Sequence, residues 1–121
     1  MRKHERIYHI IPGVLINDKS IVNRISTLLD SIPFNKWIEV NEKIYSSNFF
    51  QQYDEFYVMY LDPQGLVERL WVTGCQDIVS FMKDRVSYEY GDGVDMAICT
   101  KEINNAVICN HDGQVFMLKE Q

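Results

Sequence analysis

The chain has 121 residues, of which 46% are hydrophobic, and carries a formal net charge of −5. This length predicts a single domain over residues 1–121, and the hydrophobic share excludes a disordered chain. No apolar run approaches the roughly 20 residues needed to span a bilayer. The apolar segment after the basic start breaks at Pro12-Gly13, which argues against a signal peptide. We therefore expect a soluble protein with no membrane partner.

The first third of the chain predicts a short strand followed by a helix. Residues 6–11 are apolar and rich in β-branched side chains, which favours a strand. Apolar residues then recur at spacings of three and four over residues 19–31, which predicts a helix with one buried face. Polar side chains between residues 17 and 20 can cap its start, and Pro33 ends it. The predicted inward stripe is Ile21, Ile25, Leu28, Leu29 and Ile32.

The middle of the chain predicts a hairpin. Residues 36–45 alternate imperfectly and could form a strand, while residues 46–52 are typical of a loop. Residues 56–61 are aromatic and β-branched, which strongly favours a strand. A turn with proline and glycine follows, and the chain returns over residues 66–72. The last two segments are therefore expected to pair antiparallel.

A second helix and a series of short strands complete the predicted fold. Residues 76–85 place an acidic side chain early and basic side chains late, as the helix macrodipole favours. Turns rich in glycine and asparagine separate short strands at residues 87–90, 95–100, 106–109 and 114–118. The sequence thus predicts an α+β fold, an antiparallel sheet of about five to seven short strands with two helices packed on one face.

The three cysteines favour a reducing compartment. Cys75, Cys99 and Cys109 are odd in number and lack metal-ligand spacing, and two of them lie in apolar runs where a thiol acts as a small core side chain. Free thiols without a secretion signal favour the cytoplasm. A nucleophilic pair with His111 has no supporting local sequence, and no phosphate-loop, dinucleotide or zinc-protease motif occurs. We expect no cofactor, no metal and no catalytic residue, so the chain is not expected to be an enzyme.

The charge is unevenly spread along the chain. Residues 1–53 carry seven Lys/Arg against five Asp/Glu, whereas residues 54–112 carry four against eleven. An acidic surface repels nucleic acid and attracts a basic partner, although such carboxylates can also merely solubilise a surface. Tyrosines lie among them and supply either stiff interface contacts or half-buried core packing. The predicted partner-binding residues are Asp54, Glu55, Tyr57, Tyr88, Glu89, Tyr90, Asp92 and Asp95.

The order of segments in the second half of the chain is specific enough to compare with known proteins. It runs through the strand at 56–61, Leu70-Trp71-Val72-Thr73-Gly74, a helix with Ile78-Val79, Tyr88-Glu89-Tyr90 and residues 106–113. This order resembles small bacterial immunity proteins, including those of contact-dependent growth inhibition. The resemblance implies a cytoplasmic inhibitor that binds a cognate toxin domain, a basic nuclease in particular, and occludes its active site. The alternatives are a scaffold or regulatory subunit, or a small-ligand or enzyme domain with an unrecognised pocket.

Overall fold

A computed structural model describes residues 11–61, 68–85, 95–110 and 112–118 of the chain. Several predicted segments lie outside these ranges: all but the last residue of the strand at 6–11, the strand at 87–90, and the turns at 62–65 and 91–93. His111 lies outside them as well.

Within the described residues, seven strands form one antiparallel sheet, which confirms the predicted α+β class. The strands are β1 Val14–Ile16, β2 Trp37–Val40, β3 Glu55–Leu61, β4 Glu68–Gly74, β5 Met96–Thr100, β6 Ala106–Cys109 and β7 Val115–Leu118. Their spatial order is β1-β4-β3-β5-β6-β7-β2, so β1 and β2 form the two edges. The predicted hairpin is confirmed, because β3 and β4 pair antiparallel with Val58 opposite Trp71.

Three helices accompany the sheet in the described part of the chain: α1 Lys19–Ser31, α2 Asn48–Gln51 and α3 Cys75–Arg85. The Asp18 carboxylate caps α1 by accepting a hydrogen bond of 3.2 Å from the backbone N–H of Ile21. This bond satisfies one of the amide groups that a helix start leaves unpaired. The cap at the other end is Ile32, directly before Pro33. No described helix is long and apolar enough to cross a membrane.

The two longer helices lie on opposite faces of the sheet, so the prediction that both pack on one face is wrong. Successive side chains of a strand point to opposite faces. Phe56 and Val58 of β3 belong to the core cluster that contains Ile78 of α3. Met59 of the same strand belongs to the cluster that contains Ile25 of α1. We refer to these two sides as the α3 face and the α1 face.

The burial of strand β5 explains why helices cover both faces of the sheet. All five of its residues are buried, so neither side of the strand meets water. An uninterrupted apolar strand is typical of a sheet covered on both faces, whereas one-sided cover produces alternation of apolar and polar residues. The run Met96-Ala97-Ile98-Cys99 shows the first pattern. A sheet with such a central strand needs one helix on each side.

Two local predictions also need correction. The buried face of α1 contains Val22 and Ile25, while Leu28 of the predicted stripe is only partly buried. Residues 46–52 include α2 rather than forming a loop throughout, because adjacent Phe49 and Phe50 both enter the α3-face core. Among residues 36–45, only those of β2 form a strand, and short 3-10 turns at residues 34–36 and 42–46 flank it.

Candidate partner-binding surface

The predicted partner-binding residues do not form one site. Asp54 and Glu55 lie where β3 begins, whereas Asp95 lies beside the end of β3, where its carbonyl accepts a hydrogen bond of 2.8 Å from Leu61 N–H. A strand of this length spans about 20 Å, so Asp95 is at the opposite end of the sheet. Tyr88, Glu89, Tyr90 and Asp92 lie outside the described residues.

Part of the predicted set lies two strands from the exposed edge strand β1, with β4 between them. The strand register places Tyr57 opposite Val72 of β4, and Val72 opposite Val14 of β1, so the three side chains form a row on the α1 face. Val14 is 67% exposed, whereas the next residue, Leu15, is 52% exposed and points to the α3 face. The row spans two strand spacings, or about 10 Å. We call Val14, Asp54, Glu55 and Tyr57 the β1 corner.

Lys101 of the same chain contacts the Glu55 carboxylate and the Tyr57 ring of the β1 corner. The Lys101 Nζ lies 3.9 Å from Glu55 Oε1 and 4.8 Å from the centroid of the Tyr57 ring. The Glu55 side chain is 57% exposed, and an exposed ion pair of this kind contributes only about 0–1 kcal/mol. Tyr57 itself is half-buried and packs against the core of the α1 face. Glu55 and Tyr57 therefore form a cation-binding site, and displacing Lys101 from it should cost little free energy.

Asp54 holds the junction between β3 and α3. Its carbonyl accepts a hydrogen bond of 2.8 Å from the backbone N–H of Cys75, the first residue of α3. The Cys75 thiol in turn donates to the Phe50 carbonyl, with the sulfur 3.0 Å from the oxygen. Asp54 is exposed, and because this contact uses only its main chain, its carboxylate can still contribute charge at the surface. The backbone contact positions the acidic end of β3 against the start of α3.

All three cysteines are free thiols in environments that disfavour the thiolate. Burial raises the pKa of Cys99 to about 11, with Arg24 opposing the shift. Burial also raises the pKa of Cys109 strongly, and the nearby Asp95 carboxylate adds to the effect. The pKa of Cys75 is raised for the same two kinds of reason, first by burial and then by Asp54. The thiolate is the nucleophilic form, so none of these environments activates a cysteine.

We expect the native protein to react slowly with iodoacetamide at neutral pH. A free cysteine has a pKa of about 8.5, and every raised pKa lowers the thiolate fraction below that reference. Cys75 should react first because the other two thiols are buried. Mass spectrometry should find three alkylated thiols only after unfolding. Rapid labelling of native Cys75, or a mobility that changes with reductant, would contradict this expectation.

Two open clefts are lined by residues outside the β1 corner. One, of about 380 Å³, is lined by α1 and Ile103, and Arg24 is the ionisable side chain among its described lining residues. The other, of about 680 Å³, lies beside the end of β2 and contains Glu39 and Lys43. In the part of the chain that the structure describes, no three His, Cys, Asp or Glu side chains lie close enough to hold a metal ion.

Sequence reasoning missed the exposed apolar side chains of the two edge strands. The large hydrophobic residues that are strongly exposed in the described ranges are Val14, Leu15, Phe34 and Ile38. All four lie on β1, on β2 or in the turn that leads into β2. The available signal was a run of three apolar residues, Val14-Leu15-Ile16, ahead of a helix cap. Such a run is too short for periodicity to identify a strand.

No protein-family model, no curated protein and no solved structure matches this chain. The resemblance to immunity proteins thus rests on the order of segments in the second half of the chain. The functional conclusion has to come from the surfaces of the molecule itself.

Proposed function

We propose that this protein binds a basic protein partner through the β1 corner, and that the partner is a cognate toxin domain that it neutralises. The observation that supports this proposal is that exposed Val14 shares a cross-strand row with Tyr57, whose ring and the nearby Glu55 carboxylate already contact a lysine. Exposed apolar residues on an open strand mark interaction surfaces. A cation site next to such residues selects a partner that presents Lys or Arg.

Binding at this corner can exchange one cation for another. The Lys101 ammonium contacts both the Glu55 carboxylate and the Tyr57 ring, and a guanidinium of the partner can take the same place. Arginine is well suited to it, because its planar group pairs with a carboxylate and stacks on an aromatic ring. Val14, about 10 Å from Tyr57 in the same row, then adds an apolar contact at the edge of the sheet. This chain performs no chemistry in such a mechanism, since covering the toxin's active site is sufficient.

The charge distribution supports a basic partner as well. Residues 54–112 carry eleven acidic and four basic side chains, and Asp95 adds to their field without lying in the corner. Fields of this kind accelerate encounter and are screened over a Debye length of about 8 Å near physiological ionic strength. A scaffold or regulatory subunit could use the same apolar edge with a neutral partner. Salt dependence of the association rate separates the two functions.

The experiment measures binding to the toxin domain encoded beside this gene, at two salt concentrations. Glu55→Lys should slow association at low salt, and the difference from wild type should shrink at high salt, because a rim charge acts through steering. Asp84→Lys on α3 is the matched control, since it makes the same charge change at an exposed position away from the corner. Val14→Asp should instead speed dissociation by roughly 5- to 30-fold, the factor for a loss of about 1–2 kcal/mol.

Two results would count against the proposal. Unchanged kinetics in both corner variants, with a partner that still binds, would place the interface elsewhere. Failure of every neighbouring gene product to bind would remove the immunity function and favour the ligand-binding or scaffold alternative.

A further inference from the structure

We propose that the other edge of the sheet, strand β2, pairs with β2 of a second copy of this chain to form a two-fold dimer. Among the described strands, β2 pairs only with β7, and no other strand of the described ranges pairs with the backbone groups on its second side. Ile38 in β2 is 39% exposed, and Phe34 just before the strand is 93% exposed. An open strand with exposed apolar side chains is a template for strand addition.

Symmetry restricts the register of such a pair. In an antiparallel pair the residues directly opposite each other share a face, so a two-fold axis perpendicular to the sheet must pair one residue with itself. A register centred on Glu39 would oppose two carboxylates, which is unfavourable. A register centred on Trp37 would place the exposed Ile38 opposite Lys36, the last residue of the preceding 3-10 turn. The register centred on Ile38 places Lys36 opposite Val40 instead, and sets the exposed Ile38 side chain against the same side chain of the second copy.

The antiparallel direction of the pair also gives Phe34 a place. Phe34 is 93% exposed and lies in the 3-10 turn directly before β2. The cleft of about 680 Å³ lies at the other end of β2, and its apolar lining includes Val40, Ile44 and Met117. In an antiparallel two-fold pair, the start of β2 in one copy lies beside the end of β2 in the other. The pairing therefore brings the exposed Phe34 of each copy towards the cleft of the other.

The charge distribution allows two copies of the chain to meet at β2 but disfavours a contact through the acidic residues 54–112. Residues 54–112 carry eleven acidic against four basic side chains and would repel themselves. Around β2, Lys36 and Lys43 flank Glu39, whose Oε1 accepts a hydrogen bond of 3.3 Å from Gln114 Nε2. The β1 corner lies across the sheet, about 30 Å away by strand spacing. The dimer thus leaves both corners open and does not depend on the proposed toxin partner.

The first experiment is sedimentation of the full chain over a series of concentrations. We expect a monomer–dimer equilibrium in the micromolar range, because the contact is small. Ile38→Lys places two like charges opposite each other and should weaken the dimer at least about tenfold. Val14→Lys makes the same kind of change on the other edge and should leave the dimer unchanged. A wild-type chain that stays monomeric at millimolar concentration, or a dimer lost in Val14→Lys but kept in Ile38→Lys, would overturn the inference.

Cross-linking tests the register independently. In the Ile38→Cys variant the two thiols face each other across the axis, with Cα atoms about 4.5–5.5 Å apart, and mild oxidation should give a covalent dimer. In the Glu39→Cys variant the two positions are offset by two residues and lie beyond the roughly 7 Å limit for a disulfide. Equal cross-linking of the two variants would exclude the register centred on Ile38.

Discussion

Replacing Phe56 with alanine is expected to lower the free energy of unfolding by about 3–5 kcal/mol. Phe56 is fully buried, and its ring lies 5.0 Å from that of Phe49, 5.4 Å from Phe50 and 5.9 Å from Tyr53, measured between centroids. Truncation removes the buried ring and leaves a cavity that three neighbouring rings cannot close without losing their own contacts. Since a domain of this size is stable by about 5–15 kcal/mol, the loss would be a large part of the total.

Denaturant unfolding followed by circular dichroism measures this effect. Phe34→Ala is the matched control, because it removes the same ring from a side chain that is 93% exposed. Surface changes usually stay within about 0.5 kcal/mol, provided that the measurement is made where the protein is monomeric. A Phe56→Ala change as small as the control would show that the ring cluster of α2 and β3 contributes little to the core.

The predictable parts of the fold are those determined by local residues. The aromatic and β-branched run of β3, the Asp18 cap and Pro33 are sequence-local features, and each element they predict is present. The placement of α3 opposite α1 depends instead on the sheet between them. The uninterrupted apolar run of its central strand β5 is typical of cover on both faces. Which helix covers which face depends on the pairing of segments far apart in sequence, which periodicity within one segment cannot report.

The candidate site likewise combines positions that follow from local sequence with contacts that depend on long-range strand pairing. Asp54, Glu55 and Tyr57 lie together because they are close in sequence. Lys101 reaches Glu55 and Tyr57 only because β5 pairs with β3 and ends beside its start. The antiparallel direction of this pairing also carries Asp95 to the far end of the sheet. Acidic residues that belong to the same acidic half of the chain can therefore be about 20 Å apart in the fold.

The two edges of the sheet differ in the partner that they suit. The β1 corner combines a three-residue strand with a carboxylate and a cation-binding ring, which favours a basic protein. The β2 edge has Lys36 and Glu39 close together, a combination that tolerates its own copy. A sheet whose two edge strands pair with no further strand in the described ranges has to meet a partner or protect itself with charge and short strands. Because β1 has only three residues, a small shift of this strand would move Val14 relative to the rest of the β1 corner.

Gly13 determines that placement. Its φ is +112°, a backbone conformation that side chains other than glycine's rarely adopt. A Cβ there would meet the Val72 carbonyl oxygen and would lie 2.5 Å from Thr73 Oγ1. The same hydroxyl donates a hydrogen bond of 2.7 Å to the Pro12 carbonyl and thereby ties the segment before β1 to β4. Gly13 thus allows a close approach of two backbones just ahead of Val14.

Gly13→Ala is accordingly expected to lower the free energy of unfolding by about 2–6 kcal/mol, from about 1–3 kcal/mol of backbone strain together with overpacking of about 1–3 kcal/mol. Gly74→Ala is the control, because the nearest atoms to its Cβ would be 3.6 and 4.0 Å away and its φ is not in the left-handed region. Denaturant unfolding should separate the two variants. Hydrogen exchange at β1 should also be faster in the Gly13→Ala variant than in the wild type, with little change at β5, since the strain falls on the edge strand. Equal stability of the two alanine variants would mean that the segment before β1 adjusts freely, and that the β1 corner is not held in place by this contact.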